Sequence, residues 1–148
     1  MWILAFLAWT SGSIVAEAKT ISVRATSVGI ERSATGEDTV YAARRGKIIS
    51  RITLDRLPAA PDVLKFEAVR GTDYVLLDYL KGSSGTTALR ECYDVVLLKV
   101  SPAGKLSVRE KIEYRCDSAA TDDSFHRPYR VQITKGEASL TGGQPNGN

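Results

Sequence analysis

Apolar and polar residues alternate along most of this chain with a period of two, the spacing of a half-buried strand rather than a helix. Ile21-Ser22-Val23-Arg24-Ala25-Thr26 and Val28 predict a first strand with interruptions. Gly29 to Asp38 is polar and reads as a loop, Thr39 to Ala43 as a short strand, and Arg44-Arg45-Gly46 as a turn. Lys47 to Leu54 alternates cleanly, with Ile48, Ser50, Ile52 and Leu54 on one side. Pro58 and Pro61 then break the pattern, because each removes a ladder donor.

Val63 to Val69 and Tyr74 to Leu80 predict a hairpin around Arg70-Gly71-Thr72-Asp73. Lys81 to Glu91, with Gly82-Ser83-Ser84-Gly85, reads as a flexible loop. Cys92 to Ser101 and Leu106 to Cys116 are the two clearest strands, joined by Pro102-Ala103-Gly104-Lys105. Asp117 to Arg127 is a second polar loop. Tyr129 to Thr134 and Ala138 to Thr141 close the chain as a small hairpin around Lys135-Gly136-Glu137. No helical period of useful length follows residue 18, and no internal repeat stands out. The expectation is an all-β protein: a small antiparallel meander forming a sandwich or a barrel, or a propeller-like stack of two small sheets. One domain over residues 19–141 is expected, with residues 142–148 as a disordered Gly/Asn/Pro tail.

The first eighteen residues differ from the rest. Trp2 to Val15 is an apolar run that turns small and polar, and Ala16-Glu17-Ala18 follows as an A-x-A site. This has the form of a cleavable signal peptide, although no Lys or Arg precedes the apolar run. The run is shorter than the roughly 20 residues that span a bilayer. Cleavage after Ala18 would leave 130 of the 148 residues and a net charge of +4. Export to the periplasm or outside the cell is therefore expected, with no stable membrane insertion after cleavage.

The two cysteines carry the sharpest inference. Paired positions in an antiparallel hairpin sum to a constant, so a pairing of Cys92 with Cys116 centres on Gly104, inside the predicted turn. The thiols should face one another at the open end of that hairpin, within disulfide reach. On this register Val96, Leu98, Val100, Leu106, Val108, Ile112 and Tyr114 share one face, and Ser107, Arg109, Lys111, Glu113 and Arg115 the other. Asp94 and Glu110 break the pattern, and Glu110 predicts a bulge or a sheet edge near it. A bridge closing this loop of about 25 residues would contribute roughly 3 kcal/mol.

Composition excludes broad classes and adds little else. With 43% hydrophobic and 25% charged residues, the chain is neither wholly disordered nor collagen-like nor a polytopic membrane protein. A net charge of +3 is too weak to imply nucleic acid. His126 is the only imidazole; Asp123 could orient it and Ser124 could act as nucleophile, but no nucleophile elbow accompanies them. Asp73, Asp78, Glu91 and Asp94 near strand ends are candidates for a hydrolytic carboxylate pair. Asp117, Asp122 and Asp123 lack the order of a calcium loop. Arg44, Arg45, Lys47 and Arg51 are close in sequence, and Arg109, Lys111 and Arg115 share a strand face; together they could make a patch for an acidic partner or a polysaccharide, and a solvated face is the simpler reading of both groups. Tyr74 and Tyr79 fall on opposite faces of one strand, so one of them should point outward. Neither a cofactor nor a metal is expected.

With reactive residues so scarce, the expected function is binding, and an enzyme is not expected. The leading reading is an inhibitor-like or immunity-like protein that binds another protein of the cell envelope. A saccharide-binding or envelope-binding β module is the alternative, and a hydrolase the third. The expected contact surface is Ser83, Ser84, Arg90, Tyr93, Asp122, Asp123, His126 and Arg127, at the end where Cys92 and Cys116 sit.

Overall fold

The computed structural model describes residues 19–33, 37–54, 63–84, 90–116 and 129–142. Residues 1–18 and 143–148, and the expectations placed on them, lie outside. Ten strands run antiparallel, and no helix occurs among the described residues. β1 (Lys19–Val23), β2 (Thr26–Arg32), β3 (Asp38–Arg44) and β4 (Lys47–Thr53) form one meander in chain order. β5 (Val63–Ala68), β6 (Tyr74–Ser84), β7 (Arg90–Val100) and β8 (Leu106–Cys116) form a second. β9 (Tyr129–Thr134) and β10 (Glu137–Gly142) pair as a hairpin.

The expected first strand is in fact two. Arg24 takes a left-handed φ of 51° and folds β1 back on β2, with Val23 opposite Thr26. Of the polar stretch read as a loop, the described residues are mostly strand, because β2 continues to Arg32 and β3 starts at Asp38, its partner in register. Likewise β6 extends through Ser84 and β7 starts at Arg90. Residues 81–84 and 90–91 of the loop expected over Lys81–Glu91 are therefore strand, and residues 85–89 lie outside the described residues.

Turn chemistry explains the short connections. Arg45-Gly46 and Lys135-Gly136 both have positive φ at two successive residues, the type I′ geometry that matches strand twist. Between β7 and β8, Gly104 donates its N–H to Ser101 O, with Pro102 at the second turn position and Gly104 at φ 84°. This is a type I turn closed by a left-handed residue, as three-residue hairpin loops require.

Strands β6 and β7 are apolar on both faces. Val75, Leu77, Tyr79, Val96 and Leu98 pack with Val28, Ile30, Val40 and Ala42 of the first meander. Tyr74, Leu76, Tyr93, Val95 and Leu97 pack with Tyr129 and Ala138 of the β9–β10 hairpin. The second meander is thus the middle layer of three. This corrects the tyrosine expectation: Tyr74 and Tyr79 do point to opposite faces, but each is 1% exposed because both faces are covered.

The β7–β8 register also departs from the simple sum. Near the turn Val100 opposes Leu106, two residues earlier than expected. Register shifts between Leu97 and Leu98, and between Tyr93 and Val95, each add a residue to β8. In the backbone register Cys92 therefore stands opposite Cys116, but only after two bulges. A further consequence is that Ile112 packs toward the β9–β10 hairpin, on the face opposite Leu98.

Gly29 is buried opposite Tyr41, whose ring lies across it, so an added methyl group would overlap the ring. Gly29→Ala should cost about 1–3 kcal/mol by overpacking, and most of that cost should vanish in a Tyr41→Ala background. Urea denaturation of the double-mutant cycle checks this. An equal cost in both backgrounds would show that the ring is not the obstacle.

Candidate functional site

The meander topology sorts the connections by type. The β1–β2, β3–β4, β5–β6, β7–β8 and β9–β10 turns share one end, tied to each other by contacts. Arg24 Nε pairs with Asp73 Oδ1 at 2.6 Å. Val100 N–H donates to Asp73 O at 2.8 Å, and Arg44 donates to Pro102 O. Lys99 Nζ pairs with Glu137 Oε1 at 3.0 Å. The remaining connections leave from the opposite end, where Cys92 and Cys116 stand.

At that cysteine end the middle layer holds polar side chains on both faces. Tyr79 and Asp94 oppose one another and face the first meander, where Arg32 and Asp38 lie. Arg32 grips Asp38 with both arms of its guanidinium, Nε to Oδ1 at 2.7 Å and Nη2 to Oδ2 at 3.0 Å. This bidentate pair makes the half-buried charge tolerable. Burial pushes the Tyr79 phenol well above its ordinary pKa, and the Asp38 carboxylate adds to the rise. On the other face Asp78, fully buried, accepts a hydrogen bond from the Tyr129 hydroxyl.

The polar residues that break the strand pattern thus join layers. Asp78 holds the start of β9, and Glu110 accepts the Leu140 N–H of β10 at 2.5 Å. At the turn end, Tyr74 donates to Glu137 of β10. Burial, then the Glu137 hydrogen bond, raises the Tyr74 pKa. The Tyr74 hydrogen bond, then Lys99, lowers that of Glu137, and Glu137 raises that of Lys99. Asp78 and Asp94 cannot work as a carboxylate pair, since they point to opposite faces of one sheet. Asp73 sits at the far end, paired with Arg24.

The expected contact residues divide three ways. Ser83 and Ser84 lie on β6 opposite Glu91 and Arg90 of β7, in strand rather than loop. Tyr93 is 5% exposed and packs under the β9–β10 hairpin, so it offers no surface. Asp122, Asp123, His126 and Arg127 lie outside the described residues. Sequence reasoning missed the turn end, although a cation stands in each of the four predicted turns, at Arg45, Arg70, Lys105 and Lys135, and Arg24 stands in the turn that was not predicted. Arg24 and Arg70 also flank a cleft of about 440 Å³ between the β1–β2 and β5–β6 turns.

Comparison with protein-family models, with curated proteins and with solved structures gives no match. The functional reading therefore stands on the residues alone.

The Tyr79 shift predicts an alkaline limit. A phenol whose pKa is raised on folding contributes its stability in full below the unfolded value of about 10, and loses it as pH rises further. Urea stability should fall above that pH, less steeply in Tyr79→Phe than in the wild type. Identical slopes would contradict the assignment.

Proposed function

We propose that the protein is exported, is stapled by a Cys92–Cys116 disulfide, and acts by binding another protein of the cell envelope, in the manner of an inhibitor or immunity protein. Residues 19–141 form its single domain, a layered sandwich rather than a closed barrel. The observation that carries the reading is the register that sets Cys92 opposite Cys116. Directly opposed antiparallel residues have Cα atoms about 4.5–5.5 Å apart, the separation a disulfide needs. A bridge in this position implies an oxidising compartment, in agreement with the A-x-A segment.

The same pair stands where segments 85–89 and 117–128 leave β6–β7 and β8. A disulfide there fixes the roots of both segments, and a recognition loop with fixed roots loses less entropy on binding. The half-buried Arg32–Asp38 pair and the Asp78–Tyr129 hydrogen bond stiffen the platform below. Segment 117–128 carries Asp122, Asp123, His126 and Arg127, and segments on rigid scaffolds are where contacts concentrate.

Two measurements on protein from its native host test the reading. Intact mass should show loss of residues 1–18 and two thiols that resist alkylation until reduced. A stoichiometric complex with one envelope protein should form, and should be lost when Asp122, Asp123, His126 and Arg127 are all changed to Ala at unchanged Tm. Free thiols on an uncleaved chain would overturn the export reading. Retention on a glycan matrix in place of a protein complex would overturn the inhibitor reading.

A further inference from the structure

Each of the five tight turns presents an exposed cation: Arg24, Arg45, Arg70, Lys105 and Lys135. Arg24, Arg45 and Lys135 do so from a left-handed backbone, with φ of 50° to 51°. A long side chain is costly there, and Asn or Gly is the favoured residue at the first position of a type I′ turn. The chain therefore holds cations at positions where turn stability favours Asn. Among the described residues, the ion pairs at this end are Arg24–Asp73 and Lys99–Glu137, which leave Arg45, Arg70, Lys105 and Lys135 open to an anion.

Apolar exposure is concentrated at the same end. The exposed large hydrophobic side chains among the described residues are Ile48, Ile49, Val108 and Ile133. Ile48 and Ile49 follow Gly46 and Lys47, Ile133 precedes Lys135 by two residues, and Val108 follows Lys105 by three. Ile49 also reaches over Gly104 of the neighbouring turn. The contacts that link the turns make this one continuous face rather than five separate tips.

We infer that this turn face docks on an anionic lipid surface. Cations interspersed with exposed aliphatic side chains match a bilayer interface, where the cations meet lipid phosphates and the aliphatic groups enter the headgroup boundary. A polyanionic strand would instead favour a groove with stacked aromatic rings, and the tyrosine at this end, Tyr74, is buried beneath Lys99. Docking does not need segment 1–18, which joins β1 at Lys19, at the opposite end. It goes beyond the protein-binding reading and directs the cysteine end away from the membrane.

The test is flotation of the host-purified protein with phosphatidylcholine vesicles, with and without phosphatidylglycerol. Binding should require phosphatidylglycerol and weaken with salt, because surface charges are screened. Each cation removed should weaken binding about fivefold, so Arg45→Asn, Lys105→Gln, Lys135→Asn should weaken it about a hundredfold. The two Asn substitutions should at the same time raise Tm, because Asn suits the type I′ position better than Arg or Lys. Weaker binding by a more stable variant cannot come from misfolding. Equal flotation with neutral vesicles, unchanged binding by the triple variant, or retention on duplex DNA without vesicle binding would overturn the proposal.

Discussion

Strands β6 and β7 carry apolar side chains on both faces, and a single neighbouring sheet can cover one face at most. At about 25 cal/mol per Å² of apolar surface, leaving one face of two long strands in water would cost more than a small domain's whole stability. The chain meets this constraint by using its ends. The first four strands cover one face, and the last two cover the other. The β9–β10 hairpin is two-stranded and would be marginal alone. It is held by packing and by polar contacts, from Tyr129 to Asp78, from Leu140 to Glu110, and from Tyr74 and Lys99 to Glu137.

This layering gives the molecule two unlike ends. Tight turns rich in cations gather at one, and the longer connections leave from the other, beside the opposed cysteines. The buried carboxylates Asp38, Asp78 and Asp94 lie toward the cysteine end. Arg32 and Asp38 neutralise one another between the first two layers, and Asp78 anchors the third. These side chains lock the layers in register at a place where apolar packing alone would let them slide.

Much of the strand pattern was legible in the sequence because alternation is a local signal. β4, β8 and β9 follow from it, whereas Cys92 stands opposite Cys116 only because two bulges restore the expected pairing. The third layer was not legible. Period-two reading assumes one wet face, and Tyr74-Val75-Leu76-Leu77 has none, so its second face needed a partner that only tertiary structure reveals. The β1–β2 turn was hidden for another reason: Arg24-Ala25 has none of the Gly, Asn or Asp that announces a reversal. Glu110 did announce the nearby bulge, but not its bond to Leu140. The cationic turn face was visible residue by residue and became a surface only once the fold brought the turns together.

Native-state hydrogen exchange tests the three-layer account most directly. Covered on both faces, β6 and β7 should exchange only through global unfolding, with the same free energy as urea denaturation gives. The β9–β10 amides should reach a large part of that value, since opening the hairpin uncovers Tyr74, Leu76 and Leu97. If β9 and β10 instead exchange freely while β6 and β7 stay protected, the hairpin is not a layer of the core, and the account fails.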